Sequence, residues 1–127
     1  SDIEKRALLA RAACFAYVSL WEGVGFPALE AMREGCPVVA STGGSLPEIL
    51  GDAALLVDPL DPTAIADAIG RVLTEGTLRS NLITRGHARA AKYRWTDAAP
   101  QVLEILLSIS SIRASVAIRN DPWPSVR

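Results

Sequence analysis

Sulfur and imidazole are scarce in this sequence, which holds two cysteines, one methionine and one histidine in 127 residues. A protein metal site needs Cys, His or carboxylates clustered at set spacings. Cys14 and Cys36 lack spaced histidines or further cysteines, so neither a metal nor a cofactor is expected. Both cysteines adjoin apolar runs and read as small buried thiols in a reduced, cytoplasmic setting. The opening Ser1-Asp2-Ile3-Glu4 lacks the basic start and apolar core of a signal peptide. No apolar stretch approaches the ~20 residues that a bilayer-spanning helix requires. Neither sign of charge dominates: 13 basic and 14 acidic residues leave a net charge of −1. That balance offers nothing to a nucleic acid or an anionic membrane surface. His87 stands between Gly86 and Ala88 with no apparent partner, and reads as a surface residue.

What is plentiful is apolar side chain, half of all residues, enough for the core of one domain. Ser1-x-x-Glu4 reads as a capping box that opens a helix, with Ile3, Ala7, Leu8 and Ala12 following at helical spacing. The chain thus starts on a helix without the strand that should precede it, so upstream sequence is expected to be missing. Three short apolar runs, Cys14–Val18, Pro37–Ser41 and Ala54–Val57, suit strands buried on both faces of a parallel sheet. Amphipathic helices alternate with them. One runs from Pro27 to about Glu34, with Gly35 as its stop. A short turn covers Pro47–Leu50. Asp61-Pro62 caps a helix through about Thr74, which Gly76 breaks. Another runs from Leu78 to about Lys92, and its Arg79, Arg85 and Arg89, with Lys92 and Arg94, read as a solvated face. Thr96 is placed to cap a last helix striped with Val102, Leu103, Leu106 and Leu107. Alternating strands and helices indicate βαβ units. From about Ile109 the pattern degrades, and residues 109–127 are expected to form an irregular tail beyond a domain at residues 1–108.

Chemistry concentrates between Glu22 and Glu30. Two carboxylates bracket the loop Gly23-Val24-Gly25 and the start of a helix. The loop follows the carboxyl end of a predicted parallel strand, where open α/β sheets bind ligands. A helix N-terminus there offers unpaired N–H groups and partial positive charge, which suit a phosphate. Gly23 and Gly25 permit positive φ and close backbone approach. Carboxylates beside a phosphate are useful only where they accept hydrogen bonds from hydroxyls, such as a ribose or sugar diol. Phosphate at the amides and hydroxyls at Glu22 and Glu30 together describe a nucleoside-diphosphate sugar. The same spacing also fits two exposed carboxylates that merely flank a helix.

The stretch Ser19-Leu20-Trp21-Glu22-Gly23-Val24-Gly25-Phe26-Pro27-Ala28-Leu29-Glu30-Ala31-Met32 resembles the Glu-x7-Glu segment of family 4 (group 1) retaining glycosyltransferases. Gly35–Ser41, Gly43-Gly44 with Pro47-Glu48, Asp58-Pro59 with Asp61-Pro62, and Tyr93–Thr96 resemble the blocks that follow it in order, so the likeness covers roughly residues 1–107. The resemblance implies a Rossmann-like parallel sheet with flanking helices, a partial C-terminal domain of a GT-B enzyme. It places Glu22, the catalytic candidate, at the transferred sugar's hydroxyls and Glu30 at the nucleotide ribose. Amides around Gly25, Phe26 and the helix start would face the diphosphate, Gly23 and Pro27 are donor-binding candidates with them, and Gly43 and Gly44 would lie close to the same cleft. Val24 departs from the aromatic residue often found there. The family's Arg/Lys pair and its N-terminal acceptor domain are expected upstream, and Lys5 and Arg6 are not that pair. The expected partner is a nucleotide sugar, and the fragment alone should be inactive. The alternative is a catalytically inactive Rossmann-like module that self-associates into a homo-oligomer through an exposed sheet edge. A receiver-like phosphate binder would need an acidic cluster at an early strand end, which is absent.

Overall fold

A computed structural model describes the backbone of residues 1–116 and the side chains of residues 1–109. Helix α1 (Asp2–Arg11) opens at the capping box. The Glu4 amide donates to Ser1 Oγ at 3.4 Å, and the Ser1 amino group donates to Glu4 Oε2 at 2.6 Å. Then come β1 (Phe15–Tyr17), α2 (Phe26–Arg33), β2 (Val38–Ser41), α3 (Leu46–Leu50), a 3-10 turn (Gly51–Ala53) and β3 (Ala54–Val57). Helices α4 (Pro62–Thr74) and α5 (Gly76–Ala90) complete a unit that ends at Lys92.

The three strands are parallel in the order β1-β2-β3, with Phe15 opposite Val38 and Val38 opposite Ala54. Parallel neighbours need a crossover, supplied by α2 between β1 and β2 and by α3 with its 3-10 turn between β2 and β3. The central strand is covered on both faces, which is why all four of its residues are buried. Val39 joins Val57, Ala68, Val72 and Leu82 in one cluster. Met32, Leu46 and Leu50 are buried as well. Cys36 is buried and Cys14 partly so, and both are free thiols. Desolvation holds the Cys36 thiol up at about 11, in keeping with a packing role.

Helix α4 starts as its sequence predicts. Asp61 Oδ1 accepts from the Thr63 amide at 2.9 Å and the Ala64 amide at 3.0 Å. Asp61→Ala removes that acceptor and is expected to lower unfolding free energy by about 1 kcal/mol. A urea midpoint identical to the parent's would show the cap to be idle. Gly76 does not act as a breaker. Glu75 alone separates the two helices, and Gly76 is the first residue of α5.

The arginine face of α5 differs from expectation. Arg79 donates to the Ala13 carbonyl. Arg85 donates to the Asp52 carbonyl at 3.1 Å, and Arg89 Nε to the Ile49 carbonyl at 2.7 Å. A guanidinium on a long stem reaches past its own helix to main-chain carbonyls elsewhere, so these residues fasten α5 to the loop before β1, to the end of α3 and to the 3-10 turn. His87 is exposed, as the sequence suggests.

The second unit begins at Tyr93 and contains α6 (Trp95–Val116). Thr96 lies inside its first turn, where Arg94 takes the cap position: the Asp97 and Ala98 amides both donate to the Arg94 carbonyl at 3.1 Å. The helix also runs past Ile109, where an irregular tail was expected. Serine costs an interior helical position only about half a kcal/mol, and Ser108 Oγ donates back to the Ile105 carbonyl at 2.7 Å. The remainder of that expected tail, residues 117–127, lies outside the described residues. No helix among the described residues is long and apolar enough to cross a membrane.

Candidate functional site

The carboxyl ends of β1 and β2 feed two loops that lock onto each other. Ser41, the last residue of β2, is fully buried and donates its hydroxyl to the Ser19 carbonyl just beyond β1. The Gly43 amide donates to the same Ser41 hydroxyl at 3.4 Å. A Cβ on Gly43 would meet the Leu20 carbonyl oxygen at 2.4 Å, and a Cβ on Gly44 would meet the Glu22 carbonyl oxygen at 2.3 Å. Gly44 also sits at φ +59°, a left-handed conformation that side chains disfavour. The Ser45 amide and hydroxyl then donate to the Glu22 carbonyl at 3.1 and 3.2 Å. The expected Gly43-Gly44 loop is therefore the cradle of the Glu22 backbone.

The Glu22 side chain is fixed from the other direction. Tyr17 and Ser19 alternate along β1 and its extension, so their side chains share a face. Both donate to Glu22 Oε1, the Tyr17 phenol at 2.6 Å and the Ser19 hydroxyl at 3.0 Å. The hydrogen bond that the phenol donates to Glu22 holds the Tyr17 pKa above its ordinary value, with desolvation and the carboxylate's charge adding to it. Tyr17 was counted with an apolar strand, and its role was missed. The readable signal is two hydroxyls, two residues apart, running into a loop that carries an acid.

The turn into α2 has the form the sequence suggests, except at one glycine. Gly25 caps the helix at φ +78°, with no side-chain cap and with Pro27 in the first turn. The Ala28 amide donates to the Gly25 carbonyl at 3.0 Å, while the Phe26 amide meets no acceptor among the described residues. It belongs to the unpaired donors that every helix start offers. Gly23 is different: its φ is not positive, and nothing lies within 4 Å of a Cβ built there. Neither close approach nor left-handed backbone demands glycine at that position. Phe26 and Pro27 are exposed beside the turn.

Glu30 is tied elsewhere. Lys5 Nζ of α1 donates to its Oε1 at 3.0 Å, and one turn further along α2 Arg6 donates to Glu34 at 2.7 Å. Glu30 raises the pKa of the Lys5 ammonium. These residues line a cleft of about 300 Å3 with Asp2 and Arg33. Glu22 is not among its walls, and the two glutamates share no partner among the described residues. Glu30 remains 41% exposed and is paired through an exposed cation, an arrangement worth little stability and readily exchanged for another partner. Lys5 and Arg6 thus serve α2 carboxylates, consistent with their exclusion as a phosphate-neutralising pair.

The family model for glycosyl transferases group 1 matches residues 1–89. The O-antigen chain mannosyltransferase B of Escherichia coli is 43% identical over 96 residues, 76% of this chain and 25% of that protein. The MMP alpha-(1->4)-mannosyltransferase of Mycolicibacterium hassiacum is 38% identical over 109 residues, 83% of this chain and 26% of that protein. Among solved structures, sucrose-phosphate synthase from Thermosynechococcus elongatus superposes with a TM-score of 0.69 at 31% identity, over 76% of this chain and 26% of that one. The chain spans about a quarter of the length of these relatives. A parallel α/β sheet of GT-B type and a family match over residues 1–89 agree: this chain belongs to the group 1 glycosyltransferases.

Proposed function

We propose that the chain is the donor-binding part of a retaining glycosyltransferase that uses a nucleoside-diphosphate sugar. The observation that carries this reading is the turn at the carboxyl end of β1. There a helix start with an unpaired Phe26 amide, capped by Gly25 without a side-chain hydrogen bond, adjoins a carboxylate held by two hydroxyls. The amides and the positive end of the α2 dipole receive the diphosphate and stabilise the charge that grows on it as the sugar departs. Glu22 accepts hydrogen bonds from the sugar's hydroxyls and fixes the anomeric carbon relative to that leaving group. Glu30 accepts from the ribose once Lys5 has released it. None of the described residues is assigned as a general base, and the acceptor is bound by a companion domain. The names of two relatives favour mannose as the sugar. On this reading the chain alone binds donor weakly and turns over nothing.

Titration calorimetry with GDP-mannose, UDP-glucose, ADP-glucose and the corresponding free diphosphates tests it. One series is expected to bind, and Glu30→Ala to weaken its sugar nucleotide and its free diphosphate alike, by about tenfold each, because both carry the ribose. Equal affinity in the variant would remove Glu30 from the site. Silence of the parent chain toward every ligand would overturn the reading altogether.

A further inference from the structure

We propose that Tyr17, assisted by Ser19, is a positioning residue for the sugar: it anchors one oxygen of Glu22 so that the other faces the donor in a single orientation. The inference rests on the donor reading of Glu22 given above. Three observations carry it. Both hydroxyls end on the same atom, Oε1, at 2.6 and 3.0 Å, and among the described residues none donates to Oε2. The Tyr17 ring is itself held. It stacks on Phe15 with ring centroids 5.9 Å apart and planes 16° apart, and its Cε1 lies 3.6 Å from the position of a Cβ on Gly25. Tyr17 therefore lies alongside the turn that starts α2 while bonding the carboxylate beside it. The Glu22 backbone is pinned by Ser45, so the remaining freedom is rotation of the side chain. Two donors on Oε1 remove most of it.

A free carboxylate would sample several rotamers and lose entropy on meeting a sugar diol. One already anchored does not, and preorganisation of that kind appears as affinity for the ligand that uses it. Only the sugar uses Glu22; the diphosphate uses the turn amides. The diagnostic quantity is thus the ratio of Kd values for a free nucleoside diphosphate and for the matching sugar nucleotide. A general loosening of the loop would weaken both ligands and leave the ratio unchanged.

The test titrates the full chain with GDP-mannose and GDP, and with the UDP and ADP pairs. Tyr17→Phe, which conserves the ring and its stacking, is expected to reduce the preference for the sugar nucleotide by about tenfold while GDP binds as before. Ser19→Ala is expected to reduce it by a smaller factor. Glu22→Gln serves as the control for the underlying reading. If that variant keeps the preference, Glu22 does not face the sugar, and the donor reading falls together with the role of Tyr17. If Glu22→Gln loses the preference and Tyr17→Phe keeps it, the donor reading stands and the positioning role is overturned. A second readout needs no ligand. The phenol of Tyr17, followed by carbon NMR of labelled tyrosine across a pH titration, is expected to titrate at lower pH in Glu22→Gln than in the parent. Identical titrations would mean that the hydrogen bond is not made in solution, which also ends the proposal.

Discussion

Gly44→Ala is expected to cost about 3 kcal/mol of folding stability or more. Two penalties combine. The residue sits at φ +59°, where a Cβ adds about 1 kcal/mol of strain. The added carbon would also lie 2.3 Å from the Glu22 carbonyl oxygen and 2.7 Å from the Glu22 nitrogen. Both are backbone atoms, so neither swings aside as a side-chain tip would. Relief requires the loops after β1 and β2 to part, which breaks both Ser45 bonds to the Glu22 carbonyl. Equilibrium unfolding in urea reads the cost. Stability within about 0.5 kcal/mol of the parent would show that these loops are not docked in solution. Because the Glu22 backbone hangs on that contact, any folded Gly44→Ala protein should also lose the sugar-nucleotide preference proposed for the parent chain.

Leu46→Ala carries the second large effect. Leu46 is fully buried at the start of α3, and its side chain closes over Gly25: a Cβ on that glycine would meet Leu46 Cδ2 at 2.4 Å. Truncating a buried leucine removes transfer energy and leaves a cavity, together about 3 kcal/mol. The same contact gives a double-mutant cycle. Gly25→Ala alone suffers both its φ of +78° and the collision with Leu46. In the Leu46→Ala background the collision is gone, and only the left-handed strain of about 1 kcal/mol remains. The two changes should therefore be less harmful together than their sum, with a coupling of about 1 kcal/mol or more. Strict additivity would mean that α3 and the α2 turn do not touch.

These contacts mark the division between what was readable in the chain and what was not. The capping box at Ser1 and Glu4, the Asp61 cap and the fully buried β2 are local patterns, and each emerged where its residues predicted. The Glu22–Glu30 segment was legible too, as a loop at a strand's carboxyl end that runs into a helix. The Gly43-Gly44 pair was expected near the site, but its docking on Glu22 is a contact between separate loops, for which no periodicity exists. Tyr17 was hidden because strand period classes it with its apolar neighbours, although its phenol reaches a carboxylate. Glu30 was expected to face a nucleotide ribose, and the ion pair that it makes with Lys5, 25 positions away, is a long-range contact that no local pattern announces. The arginines of α5 misled for the opposite reason. Charged side chains on a helix face look solvated until the loops they reach are in place.

Those arginines have a consequence for how the domain can change. Arg79 and Arg89 grip main-chain oxygens at Ala13, Glu48 and Ile49, and Arg85 grips that of Asp52. Every residue type carries the same oxygen, so at Ala13, Glu48 and Ile49 the fastening ignores which side chain is displayed, whereas Arg85 also reaches the Asp52 carboxylate at 3.3 Å. Positions 13, 48 and 49 can drift in identity while the anchor persists, provided the loop keeps its path. Substitutions there are expected to leave the anchors in place, whereas inserting one residue is expected to displace the carbonyls from the guanidinium groups. The fold thereby leaves its loop chemistry open to variation and its loop lengths closed.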